Sequence, residues 1–370
     1  MANTPAAPRC AALVGPYLSG KTTLLEALLS ASGTINRRGA VKDGNSVGDH
    51  SVEARTRQMS TEINVATTKY LGDPWTILDC PGAVDLAWET QNALLAADVA
   101  VIVTEPDTER ALTLAPLFKF LDDHGIPHMV FINKLDASPL RVRDAVAALQ
   151  SVSQRPLVLR EVPTRGKDGE VTGYVDLVSE RCYKYKPGQP SDLVPLPEGF
   201  WDQEGTTRST LIEKLADYDD KLLEQLLEDV APSKEEIYRH LANDLARDLI
   251  VPVFLGEALH EGGVRRLWKA LRHETPAPAE TAKRLGIEPG ADTIATVVKT
   301  YHAPHTGKLG LVRVWSGQVA EGMILNGSRV SGVLRLLGAA QEKVPAAGVG
   351  EVVALARTEA IATGDVLTTC

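Results

Sequence analysis

Residues 10–29 read CAALVGPYLSGKTTLLEALL, and the fold turns on how this stretch divides. An unbroken apolar run, CAALV, stops at Gly15, and apolar residues return at helical spacing from Leu24. Between them GPYLSGKT, Gly15 to Thr22, matches G-x-x-x-x-G-K-[ST], a loop that works only where a strand ends and a helix opens. Gly20 lets the backbone close round phosphate oxygens, the helix N-terminus offers free amides and partial positive charge, and Lys21 sets a full charge against β- and γ-phosphates. Thr22 can give its hydroxyl to magnesium, while Ser19 and Thr23 complete the expected nucleotide contacts.

Outward from this loop the chain repeats the same strand-then-helix alternation. WTILDC is followed by WETQNALLAA, DVAVIVTE by ALTLAPLFKFLDDHG, and PHMVFINK by LRVRDAVAALQ. Near-continuous apolar strands each followed by a helix imply a mainly parallel sheet covered on both faces, hence a doubly wound α/β domain over residues 1–275. Residues 33–62 interrupt it with a polar stretch too long for an ordinary connection, read as a loop that moves. Residues 156–248 are read as an inserted α+β subdomain. It carries strands, Pro-rich turns and two amphipathic helices, the first bearing Leu211, Leu215, Leu222 and Leu226 and the second opening with Ser233 and Glu236 at capping-box spacing. After a Pro-rich linker, short alternating strands from 293 onward predict a small β-barrel over 289–370.

Two further strand ends carry chemistry. Asp79 and Gly82 form D-x-x-G: a carboxylate to reach magnesium through water and a glycine whose amide can approach a γ-phosphate. Asn133-Lys134-Leu135-Asp136 follows HMVFI. The Asp136 carboxylate can accept from the ring N–H and the exocyclic amine of guanine, donors that adenine does not present there, so GTP and GDP are expected over ATP. Asn133 can tie the base side to the phosphate loop, and the stem of Lys134 can lie along the purine face.

Composition limits the partners. The 370 residues carry a formal charge of −9, which gives no bulk attraction to nucleic acid and argues against DNA binding. Four cysteines, Cys10, Cys80, Cys182 and Cys370, stand far apart without a Cys-x-x-Cys pair, so neither zinc nor a disulfide framework is expected. No signal pattern or membrane-spanning apolar run is found. A cytoplasmic protein with no membrane partner is expected.

With GKTT, LDCPG, NKLD, GYVDLV, PVFLGEALHEGGVRRLWKAL, GKLGLVRVWSG and TGDVL in this order, the chain resembles the first two domains of the elongation factor G family, and more closely its divergent elongation factor G-like relatives. The resemblance covers nearly the whole chain. It implies a P-loop GTPase domain followed by a translation-factor barrel, GTP/GDP and Mg2+ as ligands, and the ribosome as partner, through ribosomal RNA and stalk proteins. It places Thr61 as the switch threonine that ligates magnesium and touches the γ-phosphate, alongside Thr22 and Asp79. It places Gly256-Glu257-Ala258 as the loop whose amide meets the guanine oxygen, although Glu257 stands where the family usually has serine. Lys21, Thr61 and Gly82 are then the residues expected to carry catalysis.

Two departures fall on chemistry. Ala83 stands where the family has the water-orienting histidine, and Leu18 where it has a phosphate-loop aspartate. Tight GTP and GDP binding with slow intrinsic hydrolysis is expected; the alternative is a non-hydrolysing switch that regulates the ribosome or another partner. The family has three further domains, so a fragment or a shortened factor is expected. His50 is read as a solvated loop residue, the alternative being a substitute for the missing imidazole. His128 is read as a strand-edge residue and Cys80 as packed. DYDDKLLEQLLED is read as a solvated acidic helix with a leucine seam, for which the resemblance implies a stalk contact. Lys299, Lys308 and Arg313 around YHAPHTGKLG are read either as parts of a plain hairpin or as a surface facing RNA.

Overall fold

The computed structural model describes residues 6–136, 141–288, 290, 292–303, 307–356 and 359–369, leaving aside the side chains of 202, 203 and 303. Cys370, residues 304–306 and the first five residues lie outside the described residues. The chain forms two compact units, residues 1–100 with 276–370, and residues 101–275.

In the first unit Arg9–Val14 pairs in parallel with Asp73–Asp79, and the helix Lys21–Ala31 buries Leu24, Leu25, Leu28 and Leu29. Asn64–Tyr70, a strand the apolar pattern does not announce, runs antiparallel to Asp73–Asp79. Leu71 and Gly72 between them have φ 50° and 92°, the left-handed pair that matches the twist of a two-residue hairpin. Nor is 33–62 wholly irregular. Val52–Arg57 is a helix because Ser51 caps it, its Oγ accepting the Ala54 amide at 3.1 Å.

The later strands of this unit are antiparallel: Val366–Thr368, Ile294–Ala303, Gly307–Ser316, Val352–Ala356, Val333–Leu337 and Ala340–Val344, in order of neighbours. They share one apolar core with Val297, Val312, Val314, Val353 and Leu355. The pairing among the described residues is an open path. Leu337 pairs with Ala66, and the Gly338 amide donates to the Val65 carbonyl at 2.9 Å.

Arg313 corrects the surface reading. It is fully buried, donates to the Ala96 carbonyl and, at 2.6 Å, to Asp98 Oδ2, and lies 4.5 Å from the centre of the Trp315 ring. Asp98 also accepts from the Cys10 amide at 2.8 Å and the Thr281 hydroxyl at 2.5 Å. A carboxylate withdrawn from water needs such partners, so the arginine is drawn inward. Lys299 pairs with Glu89, and Lys308 Nζ donates to the Glu359 carbonyl at 3.1 Å.

In the second unit His128–Ile132 and Leu157–Leu159 flank Val251–Leu255, both in parallel. A separate antiparallel sheet holds Glu161–Arg165, Val171–Asp176, Arg181–Lys184 and Asp192–Val194. The leucines expected on one helix lie on two, Phe200–Ala216 and Asp220–Leu227, because Asp219 starts a new helix by accepting the Leu222 amide at 2.8 Å. Leu211, Leu215 and Leu222 still share one core with Ile237 and Leu241 of Lys234–Ala246, whose cap is Ser233 as expected. His128 is buried rather than at an edge, its Nδ1 2.9 Å from the Ile126 carbonyl and 3.3 Å from Asp248, which Arg155 also engages at 3.1 Å.

Candidate functional site

Gly15 and Gly20 take φ 135° and 93°, and Gly20 precedes the helix in the left-handed conformation, leaving the helical amides open as an anion cradle. Lys21 is buried and its Nζ donates to the carbonyls of Gly15 and Pro16 at 3.0 and 2.9 Å. Burial holds its pKa below the usual lysine value, with Asp79 the largest opposing influence. Ser19 is buried and Thr23 half-buried on the same turn. Gly82 closes against this loop: a Cβ there would stand 2.8 Å from the Pro16 carbonyl carbon and oxygen, so only glycine brings its amide so near.

Thr22 Oγ1 donates to Asp79 Oδ2 at 2.7 Å. Around this pair stand Asp49, with Oδ2 at 3.4 Å from Thr22 Oγ1, and Ser60, with Oγ at 3.5 Å. Asn64 Nδ2 steadies Asp49 Oδ1 at 3.2 Å. Thr61, next along the chain, is half-buried, and Ser60 presents the hydroxyl nearest Thr22. Asp49, Ser60 and Asn64 are not singled out by sequence reasoning; the last sits on a strand that the pattern misses.

This end of the site fits a magnesium ion. Asp79 is fully buried, its Oδ1 has no hydrogen-bond partner, and its carboxyl is pushed up to about 7, first by burial and then by Asp49. An all-oxygen set of hydroxyls and carboxylates, with Asp79 Oδ1 unpartnered, is the donor chemistry of a hard divalent cation.

Cys80 is wholly buried with its thiol pushed well up by burial, a packed side chain. His50 is half-buried rather than solvated, and burial, then Arg55, lowers its pKa. Ala83 is extended at φ −77° and ψ 137° ahead of a short turn, with Val84 and Trp88 exposed beyond it.

In the second unit Asn133 is buried, and its Oδ1 accepts the Ala258 amide at 2.9 Å; the Asn133 amide donates to the Thr104 carbonyl at 2.7 Å. The two motifs of this end are thus joined directly. Gly256 permits it, since a Cβ there would lie 2.5 Å from the Gly262 carbonyl oxygen. Lys134 takes φ 59°, and its Nζ meets Glu105 Oε1 at 2.5 Å, a partner with no signal in the sequence. Asp136 is exposed and so open to a ligand. Glu257 lies 3.3 Å from His260 Nδ1 and close to Asp136; its carboxyl is raised by burial first and by Asp136 second.

A strand-end phosphate loop with Asp79 and Gly82 behind it, and Asn133 to Asp136 tied to a second strand-end loop, define a P-loop protein for guanine nucleotides. Residues 8–277 match the family described as Elongation factor Tu GTP binding domain, and residues 292–370 that described as Elongation factor G domain 2. The chain belongs to this family of translational GTPases, on its elongation factor G-like side, with a parallel-rich α/β domain and a β-rich second domain. It is similar to an elongation factor G-like protein of Synechocystis sp., 48% identical over 363 residues, covering 98% of this chain and 54% of that protein. A crystal structure from Thermus thermophilus is similar at 27% identity and TM-score 0.88, covering 98% of this chain and 54% of that one. The chain thus spans about half the length of these relatives. No helix among the described residues is long and apolar enough to cross a membrane.

Proposed function

We propose that this chain is a cytoplasmic guanine-nucleotide switch that binds GTP and GDP with Mg2+, acts on the ribosome through ribosomal RNA and stalk proteins, and hydrolyses GTP slowly by itself. Residues 1–275 would form the GTPase domain with 156–248 inserted, and 289–370 the second domain. The observation that carries the reading is the Thr22–Asp79 pair at 2.7 Å, set beside a buried Lys21 and a Gly82 with no room for a side chain. Lys21 and the amides after Gly20 bind the β- and γ-phosphates, and Gly82 offers its amide to the terminal one. Thr22, Asp79 and Thr61 hold the metal, with Asp49 and Ser60 beside them; when bound, Mg2+ supplies neutralising charge at the phosphate oxygens. Asp136 selects guanine, and Asn133, which accepts the Ala258 amide, holds the Gly256-Glu257-Ala258 loop beside the base.

Slow hydrolysis rests on Ala83, a methyl group that can neither accept a proton nor orient water. In the switch, γ-phosphate and metal hold the 40–62 loop and, through it, the second domain; loss of the γ-phosphate releases both. Titration with a fluorescent guanine nucleotide competed by ATP tests the binding, and phosphate release with and without ribosomes tests the rest. Indifference to which purine is offered refutes the reading. Ribosome binding without stimulated phosphate release refutes the GTPase role and leaves the non-hydrolysing regulator.

A further inference from the structure

The polar loop that follows the phosphate-loop helix is pinned from inside the protein. Glu26 lies on that helix one turn beyond Thr22 and is 1% exposed. Its two carboxylate oxygens take two different backbone amides of the loop: Oε2 accepts Gly39 N at 2.7 Å, and Oε1 accepts Val47 N at 2.5 Å. A carboxylate removed from water at this depth is tolerated because both oxygens have donors, and hydrogen bonds to an ionised acceptor are the strong kind.

Val47 is where the loop turns towards the metal-facing cluster. Ser46 Oγ donates to the Gly48 carbonyl at 2.6 Å. Gly48 packs so closely that a Cβ on it would lie 3.0 Å from Thr22 Cγ2 and 3.2 Å from Asp79 Oδ2. Asp49 follows in the left-handed region at φ 52°, aimed at Thr22. The same run is bounded on its other side by the turn between Val333–Leu337 and Ala340–Val344. Gly338 there has φ 56°, and a side chain on it would collide with the Val47 carbonyl.

We infer that Glu26 is the positioning residue for Asp49. By holding Val47 it fixes residues 47–49 between Thr22 and Asp79 on one side and the Gly338 turn on the other, so one three-residue run couples the phosphate end to the 333–344 hairpin. The anchoring stands on these contacts alone; its functional consequence rests on the magnesium-dependent nucleotide binding proposed above.

Glu26→Gln tests it. Glutamine has one acceptor oxygen, and its amide N–H groups face the second backbone amide, so one anchor is lost with little change of volume. Without nucleotide, amide exchange of peptides covering 39–49 is expected to speed up about tenfold or more, the size of one charge-assisted hydrogen bond. With nucleotide, the slowing of guanine-nucleotide release that Mg2+ provides is expected to shrink about tenfold, while release in EDTA matches the unsubstituted protein. Gly338→Ala, which presses on Val47 from the opposite side and leaves Glu26 intact, is expected to reduce the Mg2+ effect in the same way. Unchanged exchange over 39–49 in Glu26→Gln overturns the anchoring, and equal losses in Mg2+ and in EDTA overturn the positioning role. Failure of the unsubstituted protein to bind guanine nucleotide overturns the proposed function instead, and leaves the exchange result to judge the anchor.

Discussion

Asp176→Asn would isolate one buried charge pair and expose its contribution to the second unit. Asp176 Oδ1 accepts the amides of Val178 and Ser179 at 3.0 and 2.7 Å, and Oδ2 accepts Arg266 Nε at 2.7 Å. Asparagine can turn its amide oxygen to the two backbone amides and keep the turn, but its NH2 then faces the guanidinium, donor against donor. Burial alone would raise the Asp176 carboxyl, yet Arg266, Arg160 and the Ser179 amide outweigh it and hold the pKa at about 2, against 3.8 ordinarily. That difference is about 2.5 kcal/mol of stability. Arg266 would be left in the core with Glu161 Oε1 at 3.4 Å, and an under-paired buried cation adds to the loss. The expected cost is therefore about 3 kcal/mol at pH 7.

Its pH course follows from the sign of the shift. Because the folded pKa is depressed, the contribution is complete above the ordinary value and is lost as pH falls through the folded one, so about half remains at pH 3. Glu161 acts in the opposite sense: burial pushes it up to about 7 against 4.5 ordinarily. Its share is present below 4.5 and lost as pH rises through 7, and where Arg266 stays in place it largely cancels between the two proteins. Amide exchange of peptides covering Val171–Asp176 and Val264–Glu274, followed along a urea series at pH 7 and pH 3, reads the opening free energy of this region. A difference under about 0.5 kcal/mol at pH 7, or one that does not narrow at pH 3, refutes the reasoning.

Asp136→Asn should weaken GTP binding about a hundredfold or more while improving binding of xanthosine triphosphate, whose carbonyl replaces the guanine amine; competition titration checks both. Ala83→His should raise single-turnover GTP cleavage about ten- to a hundredfold with nucleotide affinity unchanged, and vigorous turnover by the unsubstituted protein without a partner refutes the slow-hydrolysis reading. Arg313→Met should lower the melting temperature by at least about 5 °C, because it strips the cation from buried Asp98. Lys299→Ala, which removes a mostly buried pair that still reaches solvent, should lower it by less than Arg313→Met does, and equal shifts in the two variants would contradict the burial argument.

What the sequence reveals and what it hides divides along the range of the contacts. Lys21 bonds to carbonyls five and six residues back, so its environment is written into the motif itself. Asp79, Gly82 and Asn133 sit at strand ends that apolar runs announce. Asp49 and Glu26 differ: one is set by Asn64 and Thr22, the other by Gly39 and Val47, across a loop with no periodicity to place either. Arg313 did leave a signal. In KLGLVRVW apolar side chains point to both faces of the strand, Leu309, Leu311, Val312 and Val314 all being buried, so a lone arginine among them has no solvent face to occupy and must be paired within. DYDD likewise contained the Asp219 cap that divides two helices, hidden because leucine spacing continues across the break.

Leu18 bears on the proposed binding without rapid turnover. It holds φ 63° and is 56% exposed, a left-handed conformation that costs a non-glycine residue about 1–2 kcal/mol. The conformation belongs to the loop rather than to the apolar side chain, and on the function proposed above the same backbone course would direct amides at phosphate with leucine in place of the aspartate that the family resemblance implies. Ala83 shows the same division, for it keeps an extended backbone between Gly82 and the next turn, with a methyl group where the family resemblance implies an imidazole. Phosphate binding draws on backbone amides and Lys21, whereas cleavage also needs polar side chains beyond them. On the function proposed above, Leu18 and Ala83 would therefore weaken the second requirement and spare the first.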